Sequence, residues 1–253
     1  ETLTDPSYYG QIINFSFPLI GNYGIPLMSD YREPLCDHES QKVWASGAIV
    51  MDDCLEPKFR VPSQSFSNWL VSNGVPAISN LDTRALTKVI RDNHSVFGRI
   101  VPDGASTKLD RSHFNFVEGE EYFNPSDFNI VSEVSSSKIE YYGLENDGVK
   151  VGVIDCGCKW NIVRELLLRN CQVVVVPWNT SLEGIECDAW LISNGPGNPE
   201  NVEELIANLR GLFSLNKPIM GICLGLQLLA LPAGAKKKKF TFGTRSPNQP
   251  VGF

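Results

Sequence analysis

The sequence predicts an α/β protein: an N-terminal α/β domain followed by a doubly wound, mostly parallel sheet. Three observations predict it. After residue 148, short β-branched runs alternate with amphipathic helical patterns, as in a parallel sheet. The first 130 or so residues instead mix turn clusters, short strands and two helices. Between them, Val134 to Asp147 (VSSSKIEYYGLEND) is polar and weakly periodic, and reads as a linker. The expected division is 1–133, a linker at 134–147, and 148–253.

The elements follow in order. The apolar run Ile12 to Ile20 leads into a tight-turn cluster, Gly21-Asn22-Tyr23-Gly24-Ile25-Pro26. Val43–Met51 (VWASGAIVM) reads as a buried strand interrupted by Gly47. Ser65–Asn73 carries Phe66, Trp69 and Leu70 at helical spacing, so one helical face packs inward. Thr83–Arg91 repeats the pattern, with Ala85, Leu86, Val89 and Ile90 expected inside. Ser63 and Asp82 are the expected N-caps of these helices.

Val149–Ile154 (VKVGVI) and Cys171–Pro177 (CQVVVVP) read as strands buried on both faces. Between them, Asn161–Arg169 reads as a helix with Ile162, Val163, Leu166, Leu167 and Leu168. Ala189–Ser193 is a third strand, Glu203–Leu212 a helix, and Pro218–Ile222 a fourth strand. In such a sheet, ligands bind at the carboxyl ends of the strands.

Composition excludes several classes. Among 253 residues, 22 basic against 29 acidic side chains leave a net charge of −7, which argues against a general nucleic-acid binder. A 42% hydrophobic, 20% charged chain has material for a core and is not disordered. No apolar run reaches the ~18 residues of a membrane span, so no membrane is expected as a partner. Seven cysteines with only a C-x-C pair, Cys156 and Cys158, point to thiols in a reducing cytosol and to no metal site. A cytoplasmic chain is expected, with a mitochondrial one as the alternative. Glu1 in first place, with no signal-like apolar stretch behind it, gives the look of a chain whose start is missing.

The chemistry sits at two strand ends. In Gly221-Ile222-Cys223-Leu224-Gly225-Leu226-Gln227 an apolar strand runs into a cysteine and a helix follows. That is the elbow used by nucleophiles, with glycines on either side to relieve crowding. A helix N-terminus favours thiolate over thiol, and the N–H of Leu224 points where an oxyanion would form. The plain alternative, a buried core thiol, loses here because a second motif accompanies it. Ser193-Asn194-Gly195-Pro196-Gly197-Asn198-Pro199 ends the preceding strand in a rigid loop with free backbone N–H groups, able to supply a second oxyanion donor.

G-I-C-L-G-x-Q together with S-N-G-P-G-x-P resembles class I, triad-type glutamine amidotransferases. Further stretches are similar to the small, glutaminase subunit of carbamoyl-phosphate synthetase: Leu3 to Tyr8, Ile20 to Gly24, Leu81 to Thr87, Asp155 to Asn161 and Asn248 to Val251. The resemblance spans nearly the whole chain. It implies that Cys223 attacks the side-chain amide of L-glutamine, forming a thioester and releasing ammonia. It implies oxyanion donors at the backbone N–H of Leu224 and Gly195, and substrate contacts at Ser7, Gly195, Gly197 and Gln227. It implies a large synthetase subunit or fused domain as partner, where ATP and Mg serve the making of carbamoyl phosphate from bicarbonate. No P-loop occurs here, so no cofactor is expected in this chain.

The sequence departs from that family in three ways. The family's thiol is activated by a histidine, oriented by a glutamate, both after the cysteine. Here the only histidines are His38, His94 and His113, all before the expected linker. Truncation is the expected cause, with a parent reading frame that continues into a strand and His-x-Glu; the class I domain would then lack its C-terminal part. The alternatives are a catalytically inactive partner of the synthetase and a base supplied by another chain. Leu226 stands where this family usually has histidine, and Pro232 should end the elbow helix within two turns. Lys236 to Lys239 reads as a solvated charge run before the turn Ser246-Pro247-Asn248. The resemblance does not separate arginine from pyrimidine synthesis.

Overall fold

The computed structural model describes residues 1–26, 38–58, 63–93, 96–100, 122 and 124–238. His94, His113, Lys239, Ser246 to Asn248 and Asn248 to Val251 lie outside the described residues.

The N-terminal part holds short strands β1 (Ile12–Asn14), β2 (Leu19–Ile20), β3 (Ile25–Pro26), β4 (Gly47–Ile49), β5 (Asp52–Asp53) and β6 (Ser63–Gln64), then α1 (Phe66–Ser72), β7 (Ala77–Ile78) and α2 (Thr83–Asp92). β4 lies between β1 and β7, parallel to both. Of the expected strand Val43–Met51, only Gly47–Ile49 pairs; Trp44 N–H instead reaches the Leu3 carbonyl, 2.9 Å away. The expected turn is present, closed by Gly24 N–H on the Gly21 carbonyl at 2.9 Å. Leu3, Ala48, Val50, Phe66, Trp69 and Leu70 are buried together and form this part's core.

Two details of the helices differ from expectation. Ser65, not Ser63, caps α1: its hydroxyl accepts from Asn68 N–H at 3.2 Å. A cap must directly precede the first helical residue, here Phe66, and Ser63 sits two residues too early, in β6. Asp82 does cap α2, accepting from Ala85 N–H at 2.9 Å. On α2, however, Ala85 and Val89 are exposed and Thr83 is fully buried. The helix is held by its first turn, where Asn14 Nδ2 donates to the Thr83 carbonyl (3.0 Å) and to Thr87 Oγ1 (2.9 Å). Its far side therefore stays in solvent.

The second part continues with α3 (Val131–Val134), β8 (Glu140–Tyr142), β9 (Lys150–Asp155), α4 (Trp160–Leu167), β10 (Gln172–Pro177), β11 (Ala189–Ile192), α5 (Glu203–Leu212), β12 (Ile219–Gly221) and α6 (Leu224–Ala230). The sheet runs β12-β11-β9-β10-β8, parallel except for β8, which is antiparallel to β10. The segment expected to be a linker thus supplies an edge strand. Tyr142 and Glu140 pair with Val173 and Val175, and the Glu-Tyr-Tyr composition suits a half-wet edge.

Period-two alternation builds the layers. Val151 and Val153 of β9 and Val173 and Val175 of β10 face Val163 on α4. Ile154, Val174 and Val176 face the other way, against Leu205, Leu209 and Leu212 on α5 and Leu224 and Leu228 on α6. Each such side chain, fully buried, contributes about 1.5–3 kcal/mol. Leu168, expected inside, is exposed because it sits one residue past the end of α4. At Gly152 a β-carbon would stand 2.5 Å from the Trp190 ring, so glycine makes room for that buried indole. The mixed α/β, mostly parallel architecture is the predicted one. Its strand order reverses at β9, between β10 and β11, and the carboxyl ends there are where a ligand belongs.

Candidate active site

Cys223 lies between β12 and α6 with φ 54° and ψ −107°, a left-handed backbone that L-residues avoid. Strain of this kind persists only where neighbours over-determine it. Here Ile222 N–H donates to the Ile192 carbonyl (3.0 Å), and Gly225 N–H donates to the carbonyls of Ser193 (3.1 Å) and Ile222 (2.9 Å). The flanking glycines allow that approach. A β-carbon at Gly221 would lie 2.5 Å from the Gly225 backbone, and one at Gly225 would lie 2.2 Å from the Ile192 carbonyl oxygen. Any larger residue would push α6 off the strand ends.

The result is an exposed Cys223 thiol on a sharp bend. Leu224 is the first residue of α6, so its N–H has no acceptor within the helix. Helix α6 ends at Ala230, before Pro232. Gln227 stands one turn below Cys223, exposed, and its side chain makes no hydrogen bond among the described residues. Leu226, beside it, is 62% exposed.

The loop after β11 runs alongside. Ser193 Oγ accepts from Cys156 N–H (2.9 Å) and donates to the Asn194 carbonyl (2.8 Å). Gly195 is pressed so close to the end of β9 that a β-carbon would lie 2.0 Å from the Cys156 carbonyl oxygen. Gly197, at φ 87°, turns beneath Ile130. The Asn194 side chain, buried, donates to Ser7 Oγ at 2.9 Å and to the Gly157 carbonyl at 3.0 Å, and accepts from Lys159 N–H at 3.0 Å. Ser7 is thereby held against the end of β11, although it comes from the other part of the chain. The structure thus brings Cys223, Leu224, Gly195 and Gln227 to adjoining strand ends, and seats Ser7 on the same loop.

Three neighbours were not singled out from sequence. Asp155, buried at the end of β9, accepts from Ser136 N–H (2.7 Å), Gly157 N–H (2.8 Å) and Cys158 N–H (2.7 Å). Burial pushes its carboxyl up, against the pull of those hydrogen bonds. Glu39, also buried, accepts from Asn161 N–H (3.0 Å) at the start of α4 and lies 3.7 Å from Lys159 Nζ and 3.5 Å from Arg164 Nη2. Burial opposes the charge on Lys159, but Glu39, Glu1 and Asp5 outweigh it and raise its ammonium above the ordinary range. The only sequence signal for Asp155 and Lys159 is their place in the Asp155 to Asn161 stretch, and Glu39 carries none.

The other cysteines nearby are of a different kind. Burial pushes the thiols of Cys156 and Cys158 well up, so they are poor nucleophiles. His38 is buried against Trp69, with ring centroids 5.9 Å apart. The basic run is not wholly free in solvent: Lys237 reaches Asn198 and Glu200 on the loop after β11. Among the described residues no three His, Cys, Asp or Glu side chains gather as a metal site requires, and no helix is long and apolar enough to cross a membrane.

Comparison with known proteins finds a family match for each part of the chain. Residues 1–100 match the family model described as carbamoyl-phosphate synthase small chain, CPSase domain, and residues 152–253 match glutamine amidotransferase class-I. The carbamoyl phosphate synthase small chain of Clostridium perfringens is 41% identical over 255 residues, covering 99% of this chain and 67% of that one. The multifunctional protein CAD of Squalus acanthias is 38% identical, with 99% of this chain covering 11% of it. The mitochondrial carbamoyl-phosphate synthase [ammonia] of Aquarana catesbeiana is 38% identical, with 99% of this chain covering 16% of it. The chain therefore spans a small fraction of the two long relatives and two thirds of the bacterial one. With both of its parts matched and its whole length alike, the chain belongs to the carbamoyl-phosphate synthase small chain family, whose second part is a class-I glutamine amidotransferase domain.

Proposed function

We propose that this chain is the glutaminase part of a glutamine-hydrolysing carbamoyl-phosphate synthetase. Cys223 is its nucleophile. The thiolate adds to the side-chain amide carbon of L-glutamine, and the carbonyl oxygen becomes an oxyanion facing the N–H groups of Leu224 and Gly195. Collapse expels ammonia and leaves a γ-glutamyl thioester, which water cleaves to glutamate. Ser7, Gly195, Gly197 and Gln227 hold the substrate. A hydroxyl and a carboxamide suit the fixed carboxylate and ammonium of a free amino acid. The ammonia passes to a large synthetase subunit or fused domain, where ATP and Mg serve carbamoyl phosphate formation from bicarbonate. Residues 1–133 form the small-subunit domain and 148–253 belong to the amidotransferase domain, whose sheet takes its edge strand β8 from the connecting residues 134–147.

The observation that carries this reading is the strained, exposed Cys223, set on a strand-to-helix bend beside the Gly195 loop. The neighbouring Cys156 is buried and Cys158 half-buried, and burial pushes both thiols well up.

No histidine occurs among residues 224–253, so none of these residues supplies an imidazole to take the thiol proton and hand it to the leaving amine. The test is steady-state ammonia release from glutamine. The 253-residue chain alone should show negligible turnover, whereas a chain continued to include a histidine–glutamate pair should turn over and lose activity with Cys223→Ala. Cys223-dependent turnover by the 253 residues alone would contradict the assignment of the base. Failure of the continued chain would favour a non-hydrolysing partner of the synthetase.

A further inference from the structure

We infer that Asn194 is a positioning residue for the glutamine site: its carboxamide locks Ser7, from the N-terminal part, onto the loop that carries Gly195. This rests on the reading of Ser7 as a substrate contact and adds the residue that places it.

Asn194 is 5% exposed and its side chain uses both ends. Its orientation is forced by its partners. Lys159 N–H can only donate, so it faces Oδ1, at 3.0 Å. The Gly157 carbonyl can only accept, so it faces Nδ2, also at 3.0 Å. The other direction of Nδ2 is taken by Ser7 Oγ at 2.9 Å, with Asp5 Oδ1 farther off at 3.4 Å. Nδ2 therefore spends a proton on Ser7 Oγ and occupies one of its lone pairs. The hydroxyl proton of Ser7 must then point away from Asn194, as a donor for something else.

The same residue is backbone-bonded to the loop. Its own carbonyl accepts from Ser193 Oγ at 2.8 Å, and the next residue is Gly195. One buried carboxamide thus ties together three things: the Gly195 loop, the Gly157–Lys159 turn and Ser7. Local chain geometry does not fix Ser7 relative to the other two, because 187 residues separate it from Asn194.

The isosteric change Asn194→Asp separates this role from simple packing. It keeps the acceptor for Lys159 N–H, removes the donor to Ser7 and Gly157, and sets a carboxylate beside Asp5. L-Glutamine binding to the purified chain is measured by calorimetry for the parent, Ser7→Ala, Asn194→Asp and the double variant, with thermal unfolding of each. Ser7→Ala and Asn194→Asp should each weaken binding about tenfold, and the double variant should be no weaker than either alone, because both break one link. A double variant about a hundredfold weaker, or Asn194→Asp binding like the parent while Ser7→Ala does not, overturns the inference alone. Ser7→Ala binding like the parent, or a parent that binds no glutamine, overturns the substrate reading as well. A second readout needs no change at Asn194: in Ser7→Ala, the Asn194 side-chain amide protons should exchange with solvent about tenfold faster by NMR. Unchanged exchange overturns the link even if Asn194→Asp fails to fold.

Discussion

The backbone of Gly195 and the side chain of Leu224 are in contact: a β-carbon on Gly195 would stand 2.9 Å from Leu224 Cδ2. The two N–H groups proposed to face the oxyanion therefore belong to one packed unit, and a side chain at 195 would disturb both at once. Gly195→Ala also drives a methyl to within 2.0 Å of the Cys156 carbonyl oxygen. Urea unfolding should show a loss of about 1–3 kcal/mol, the usual cost of overpacking. A loss below a few tenths would mean the loop moves aside freely.

Cysteine reactivity should rank by exposure and burial. At pH 8, limiting iodoacetamide should modify Cys223 before Cys156 and Cys158, whose thiols are pushed well up by burial. Peptide mass spectrometry of timed samples reads the order. Prior labelling of Cys156 or Cys158 would contradict the description of the elbow.

Glu39 closes the start of α4 from the N-terminal part, facing Lys159 and Arg164. Glu39→Ala leaves two cations without their buried partner and an uncapped Asn161 N–H. Denaturant unfolding should register a loss of about 3 kcal/mol. Glu39→Gln should lose less, since its carboxamide oxygen still accepts from Asn161.

Lys159 gives a pH signature with a defined sign. Its folded ammonium is held above the ordinary 10.5 by Glu39, Glu1 and Asp5, against the effect of burial. The stabilisation is therefore complete below about 10.5 and is lost as pH rises through the higher folded value. The melting temperature of the parent should fall more steeply than that of Lys159→Met above that pH. Parallel curves would show that the cluster does not hold the charge.

What was legible in the sequence follows the range of the forces involved. β9 and β10 announce themselves because a strand buried on both faces needs nearly continuous β-branched residues. Glu203–Leu212 was readable to the residue, since its apolar spacing is local. β8 was not readable: Glu140-Tyr141-Tyr142 is an edge strand, wet on one side, and nothing nearby in sequence says that β10 lies alongside. The inward face of α2 was legible only in part: Leu86 and Ile90 are half-buried, but Ala85 and Val89 are exposed, and the Asn14 contacts to Thr83 and Thr87 lie far away in sequence. At the site, the glycines around Cys223 mark a close approach that sequence spacing alone suggests. Ser7 carries no local mark, and its place beside Asn194 exists only in the folded chain.

The central claim, that Cys223 is the glutamine-directed nucleophile, is tested most directly by affinity labelling. The chain is incubated with a glutamine analogue bearing an electrophilic carbon in place of the amide, and the adduct is located by mass spectrometry. The account predicts one adduct, on Cys223, suppressed by excess L-glutamine and absent in Cys223→Ala. An adduct on another residue, or labelling of Cys223 that L-glutamine does not slow, would contradict it.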